Sequence, residues 1–256
     1  MRCIGRTCIL GVLLIGAAHA APVEFAVDTS NAPQLKVWAA NAAQRWQQAY
    51  PLICAELASP GYEPPRVIEV RVEDYDGIAE TSFRGIRLSS RFIREHPEDV
   101  DGAMVHEIAH VVQGYGLHWA PGWLTEGIAD YVRFFRWSTG ELGHVHPDRV
   151  HYNGSYRITA SFLNFLIARY DPEMVRKLNR ALREGHYRER LFQTITGKTA
   201  PALGEEWRTT LPRTPADLAD DAMTDDDDSS GLWWGVLGVG VIVAAGMVWR
   251  FRKRVP

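Results

Sequence analysis

The run His106-Glu107-Ile108-Ala109-His110 constrains this chain more than any other, because it sets three polar side chains inside an apolar segment. Ala103, Met104, Val105, Ile108, Ala109, Val111 and Val112 predict a buried helix. Asp99 or Asp101 can cap its start, and Gly114 and Gly116 end it. On a helix, residues four apart share a face, so both imidazoles reach a single point while Glu107 faces the open side of whatever is held there. Buried His and Glu need polar partners, and a metal ion supplies them at once.

A hydrolytic zinc site needs a third protein ligand and an open fourth position. Glu126 is the best-placed candidate. It lies in Trp123-Leu124-Thr125-Glu126-Gly127-Ile128-Ala129-Asp130, where Pro121 and Gly122 suit a helix start. Fifteen residues separate it from His110, enough to leave one helix, turn and enter an antiparallel neighbour. Asp130 falls one helical turn later on the same face, where it can accept a hydrogen bond from the outer nitrogen of a metal-bound His. The structural alternative is that Glu126 caps its own helix and Asp130 pairs with Arg133.

The rest of the chain bounds where such a site works. Residues 1–20 carry Arg2 and Arg6, an apolar run and Ala18-His19-Ala20, the pattern of a cleaved export signal. Residues 232–249 are apolar, flanked by Trp233, Trp234 and Trp249, and followed by Arg250, Arg252, Lys253 and Arg254. As a helix this stretch spans about 27 Å, which fits one transmembrane segment with a cytoplasmic basic tail at 250–256; a processed sorting signal has the same pattern. The expected organisation is a domain over 21–211, an acidic linker over 212–231 and then the anchor. That organisation places the domain outside the cytoplasm, with the periplasmic face of a bacterial inner membrane as the best fit. Residues 21–216 carry 22 basic and 24 acidic residues, which gives no electrostatic argument for nucleic acid. Only Cys54 remains once the signal is removed, so neither an intrachain disulfide nor a zinc–thiolate site is available.

Apolar spacing over Leu35–Leu57 predicts a long amphipathic helix interrupted at Pro51, and alternation over 66–72 and 85–89 predicts a small sheet. Helical patterns then dominate at 99–113, 123–136, 155–170, 172–184 and 188–195, with a short helix within 201–211 and a loop over 138–154. The fold class is therefore α+β, with a small N-terminal mixed sheet packed on a mainly helical body. Trp119 and Trp123 read as packing residues near the site. His144 and His146 have a spacing that can bind metal but read as surface His, and His118, His151 and His186 could each line the cleft.

At five places the chain resembles the basic secretory protein family of peptidases from plants and bacteria. The matching runs are 106–113 (HEIAHVVQ), 126–133 (EGIADYVR), 155–163 (SYRITASFL), 178–180 (LNR) and 192–198 (FQTITGK). The pairing of HExxH with a downstream Glu is also similar to the gluzincin class of zinc peptidases. The resemblance covers about residues 100–208 and implies a zincin-like fold, a bound Zn2+ and hydrolysis of peptide or protein substrates outside the cytoplasm. It implies His106, His110 and Glu126 as ligands and Glu107 as general base. Tyr156, in the third matching run, is the expected oxyanion donor, with an ordinary packed Tyr as its alternative. An edge strand beside the cleft is expected to bind extended peptide, with 85–89 as the candidate. A membrane anchor departs from the plainly secreted members of that family. Two further readings stay open: a binding protein stapled by zinc, and a zinc amidase acting on cell-wall peptides.

Overall fold

A computed structural model describes residues 22–138, 142 and 145–214. The expected export signal over 1–20, the expected linker beyond 214, the apolar stretch at 232–249, the basic residues after it and His144 lie outside the described residues. Among the described residues no helix is long and apolar enough to cross a membrane.

The chain opens with a β-α-β unit: β1 (Glu24–Asp28), α1 (Lys36–Glu56) and β2 (Val67–Glu73), with β1 and β2 parallel. Parallel strands need a long crossover, and α1 supplies it by packing Trp46, Tyr50 and Ile53 into the core. It runs unbroken through Pro51, whose ring removes one backbone donor inside the helix. A hairpin follows, β3 (Ala79–Ser82) antiparallel to β4 (Gly85–Ser89), and the four-strand order is β1-β2-β4-β3. Inward side chains alternate along β2 as Ile68, Val70 and Val72, the period-two pattern of a half-buried strand. The mixed sheet and helical body of the expected α+β class are therefore present.

One expectation about the sheet fails. Gly85–Ser89 is not an edge, because β4 lies between β2 and β3; the edge strands are β1 and β3, and β3 is the one that lines the cleft. Side-chain alternation reports which face of a strand is buried but not who its neighbours are.

The body consists of α2 (Ser90–Glu95), α3 (Val100–Gln113), α4 (Gly122–Tyr131), α5 (Tyr156–Arg169), α6 (Met174–Arg183), α7 (Leu191–Thr196) and α8 (Ala200–Arg208). Helix α3 is the central rod, touching α1 and β3 and leaving one face toward α4. Neither predicted cap closes its start. Asp99 stands at the N-cap position without a side-chain cap bond and pairs with Arg133, while Asp101 accepts from Arg45 Nε (2.6 Å) and Trp46 Nε1 (2.9 Å). Helices α4 and α5 meet closely at Gly127, where an added Cβ would fall 2.1 Å from Thr159 Cγ2. Beyond Tyr131 the helix widens into a π-helical turn, Val132–Trp137.

Candidate metal centre

The buried face of α3 presents His106 and His110 to Glu126 on α4. Their three ligand-type atoms converge: His106 Nε2 lies 3.0 Å from His110 Nε2, and Glu126 Oε2 lies 3.1 and 3.3 Å from those two nitrogens. This group could hold a metal ion. Pairing at i, i+4 on one helix supplies the first two donors, and α4 brings in the third without any local sequence contact.

The outer ring nitrogens fix the chemistry of the inner ones. His106 Nδ1 is 2.7 Å from Asp130 Oδ1, an acceptor, so that nitrogen carries a proton. His110 Nδ1 is 2.9 Å from Gln113 Oε1, and the Gln113 amide is oriented by donating from Nε2 to the Thr125 carbonyl at 2.8 Å. His110 Nδ1 therefore also carries a proton. As neutral imidazoles the two rings would aim Nε2 lone pairs at each other and at a carboxylate oxygen, with no proton between them. Three converging lone pairs repel unless a cation lies among them, so this donor set fits a metal ion.

Without a metal, a proton takes the cation's place. Burial opposes charge on His106, but its hydrogen bonds to Asp130 and Glu126 prevail and raise its pKa to about 10. Burial likewise opposes charge on His110, and Glu126 raises its pKa all the same. For Glu126, burial favours the neutral acid, yet the two His hold its carboxyl far below the usual range.

Glu107 points away from this cluster into the cleft, where its Oε2 accepts from the Thr81 hydroxyl at 2.7 Å. Thr81 lies on β3, so the free sheet edge touches the carboxylate between the two His. Tyr156 stacks on His106 with ring centroids 6.2 Å apart and planes 20° from parallel. Ser155 and Tyr156 both have positive φ, 70° and 47°, a strained entry to α5 that turns this ring toward the cleft.

All six sequence-predicted site residues line one cleft of about 1070 Å³: His106, Glu107, His110, Glu126, Asp130 and Tyr156. The structural alternative for α4 does not hold, since Asp130 faces His106 and Arg133 faces Asp99. His118 and His146 also reach the cleft wall, whereas His151 and His186 do not line it. Trp123 packs against Tyr152 and Phe192, while Trp119 is 72% exposed rather than packed. Thr81, Gln113 and Arg183 were not foreseen as contributors. Arg183 is a buried guanidinium that donates to the carbonyls of Val112 and Gln113, both at 2.9 Å, and so closes the end of α3.

An α+β domain with a His-His-Glu cluster on two adjoining helices, open to a cleft, has the architecture of a hydrolase with a candidate metal centre. The chain belongs to the BSP family, described as peptidases of plants and bacteria, whose model matches residues 26–207. That match takes in the N-terminal sheet as well as the helical body. No curated protein and no solved structure matches the chain.

Proposed function

We propose that the chain is a zinc-dependent peptidase of the gluzincin kind, with His106, His110 and Glu126 holding one Zn2+ and Glu107 serving as general base. The observation that carries this reading is the convergence of three lone-pair donors within 3.3 Å of one another while a fourth group, Glu107, stays out of the cluster. A purely structural staple has no use for a carboxylate that stands beside its open side without joining the three donors. Two imidazoles and one carboxylate form the donor set of catalytic zinc sites that keep a fourth position open. When bound, the ion supplies a Lewis acid for the scissile carbonyl and lowers the pKa of an attacking water toward neutrality.

The protein's own groups do the rest. Glu107 accepts the water's proton and returns it to the leaving amine, and the Thr81 hydroxyl fixes which of its oxygens faces the cleft. Asp130 holds the His106 tautomer, and Gln113 does the same for His110. Tyr156, in the cleft wall beside His106, serves as oxyanion donor. The free edge of β3 presents backbone groups to an extended substrate, which would add as a further strand.

The export signal at 1–20 and the anchor at 232–249 make this a membrane-tethered enzyme with its domain outside the cytoplasm, in the periplasm of a bacterium. Substitution Glu107→Gln tests the reading. The variant should bind zinc as the wild type does and lose peptide cleavage by at least about a hundredfold; undiminished turnover would remove Glu107 as base.

A further inference from the structure

The cleft has a side chamber. A cavity of about 560 Å³ opens between α2, the first turn of α3, the π-helical turn after α4 and the start of α5. Asp99, Arg133 and Arg157 line both spaces, so the two adjoin at these side chains. Phe92, Phe134 and Trp137 supply its aromatic part, while His96, Glu98, Asp99, Arg133 and Arg157 make the rest of its lining largely charged or polar.

Two guanidinium groups share the Phe134 ring, Arg133 at 4.6 Å and Arg157 at 4.8 Å from its centroid. They differ in everything else. Arg133 is neutralised by Asp99 and its side chain is only 14% exposed. An added Cβ on Gly102 would fall 3.1 Å from Arg133 Nε, so α3 accepts a helix-interior glycine, at a cost of about 1 kcal/mol, where that side chain crosses it. Arg157 is exposed and, among the described residues, donates one long 3.4 Å bond to the Leu142 carbonyl. Among the described residues no carboxylate lies within ion-pair distance of it, and Glu98 at the outer rim faces His96 at 3.8 Å.

We propose that this chamber is a substrate subsite for a carboxylate, either an Asp or Glu side chain or the free end of a peptide, with Arg157 as the specificity-determining residue. The inference rests on the peptidase reading. A planar guanidinium matches a carboxylate in two parallel hydrogen bonds, and stacking on Phe134 fixes the plane of the fork before substrate arrives. The aromatic part of the lining takes the aliphatic stem of the incoming side chain and reduces the water that would screen the pair. Arg157 directly follows Tyr156, whose ring lies on His106, so the subsite adjoins the metal centre.

The test uses the full-length protein and matched peptides carrying Asp or Glu, the corresponding amides, or Lys at each position around the cleaved bond, each made with a free and an amidated C-terminus. Wild type should favour the carboxylate over the amide by about tenfold in kcat/KM. Arg157→Glu should abolish that ratio and turn it toward Lys. Preference confined to free C-termini assigns the carboxylate to the chain end, and preference for internal Asp or Glu assigns it to a side chain. Cleavage without any such preference, or an Arg157→Glu ratio equal to wild type, overturns the subsite and leaves the peptidase reading standing. If no peptide is cleaved, fluorescence polarisation of the same peptides on Glu107→Gln protein decides. Carboxylate-selective binding that Arg157→Glu removes keeps the subsite while the hydrolytic reading fails, and indifferent binding overturns it.

Discussion

Asp130 Oδ1 lies 2.7 Å from His106 Nδ1, and this contact between α4 and α3 sets the direction in which the His106 lone pair points. Removing the carboxylate frees the ring to rotate or to take the other tautomer, either of which withdraws a donor from the metal. Asp130→Ala should weaken zinc affinity by about 10- to 100-fold. Competition against a chelator of known affinity measures this, and Asp130→Asn should fall between the variant and wild type.

The same cluster predicts how pH acts on the metal-free protein. His106 has its pKa raised to about 10 by Asp130 and Glu126 against the cost of burial. From about pH 6.5 up to that value the folded state therefore holds a proton that the unfolded state has released. Its contribution to stability is complete below the unfolded value and is lost as pH rises toward 10. Glu126, depressed by the two His despite its burial, contributes above the ordinary Glu range and loses that contribution in acid. Zinc must displace the His106 proton, so its affinity rises over the same span, with about one proton released on binding. Melting temperatures of stripped and zinc-loaded protein measured from pH 6.5 to 9 should diverge as pH increases.

Gly127 sets how closely α4, and with it Glu126, approaches the rest of the body. An alanine there would push its methyl to 2.1 Å from Thr159 Cγ2. Gly127→Ala should destabilise the fold by roughly 1–3 kcal/mol in denaturant melts. Thr159→Ser removes that methyl and keeps the hydroxyl that donates to the Tyr152 carbonyl, but its Cβ still lies 2.5 Å from the new methyl, so the double variant should recover only part of the loss.

The parts of the site that were legible in the sequence are those tied to helix periodicity. His106, Glu107 and His110 follow from spacing on one helix, and Asp130 follows from Glu126 by one more turn. Bringing Glu126 to the two His required only that an antiparallel neighbour face α3. Thr81 was not legible, because β3 is the four-residue stretch Ala-Glu-Thr-Ser, too short and too polar to show an alternating pattern. For the same reason the edge was assigned to β4, the more apolar strand. Asp99 and Asp101 both have the chemistry of a helix cap, yet each is taken by a cation or donor from another element, Arg133 or Arg45 and Trp46. Such long-range pairings leave no local signature. The π-helical turn that presents Arg133 and Phe134 to the side chamber was likewise read as plain helix, since its residues keep a helical apolar spacing.

In the proposed site one divalent ion is held jointly by His106, His110 and Glu126. Elemental analysis and X-ray absorption on protein purified without chelators test it most directly. One zinc per chain is expected, with two imidazole nitrogens at about 2.0–2.1 Å and the remaining positions filled by oxygen, and loss of that metal in Glu126→Ala. Metal-free protein that cannot be reconstituted, or a zinc that survives Glu126→Ala with its imidazole shell unchanged, would contradict it.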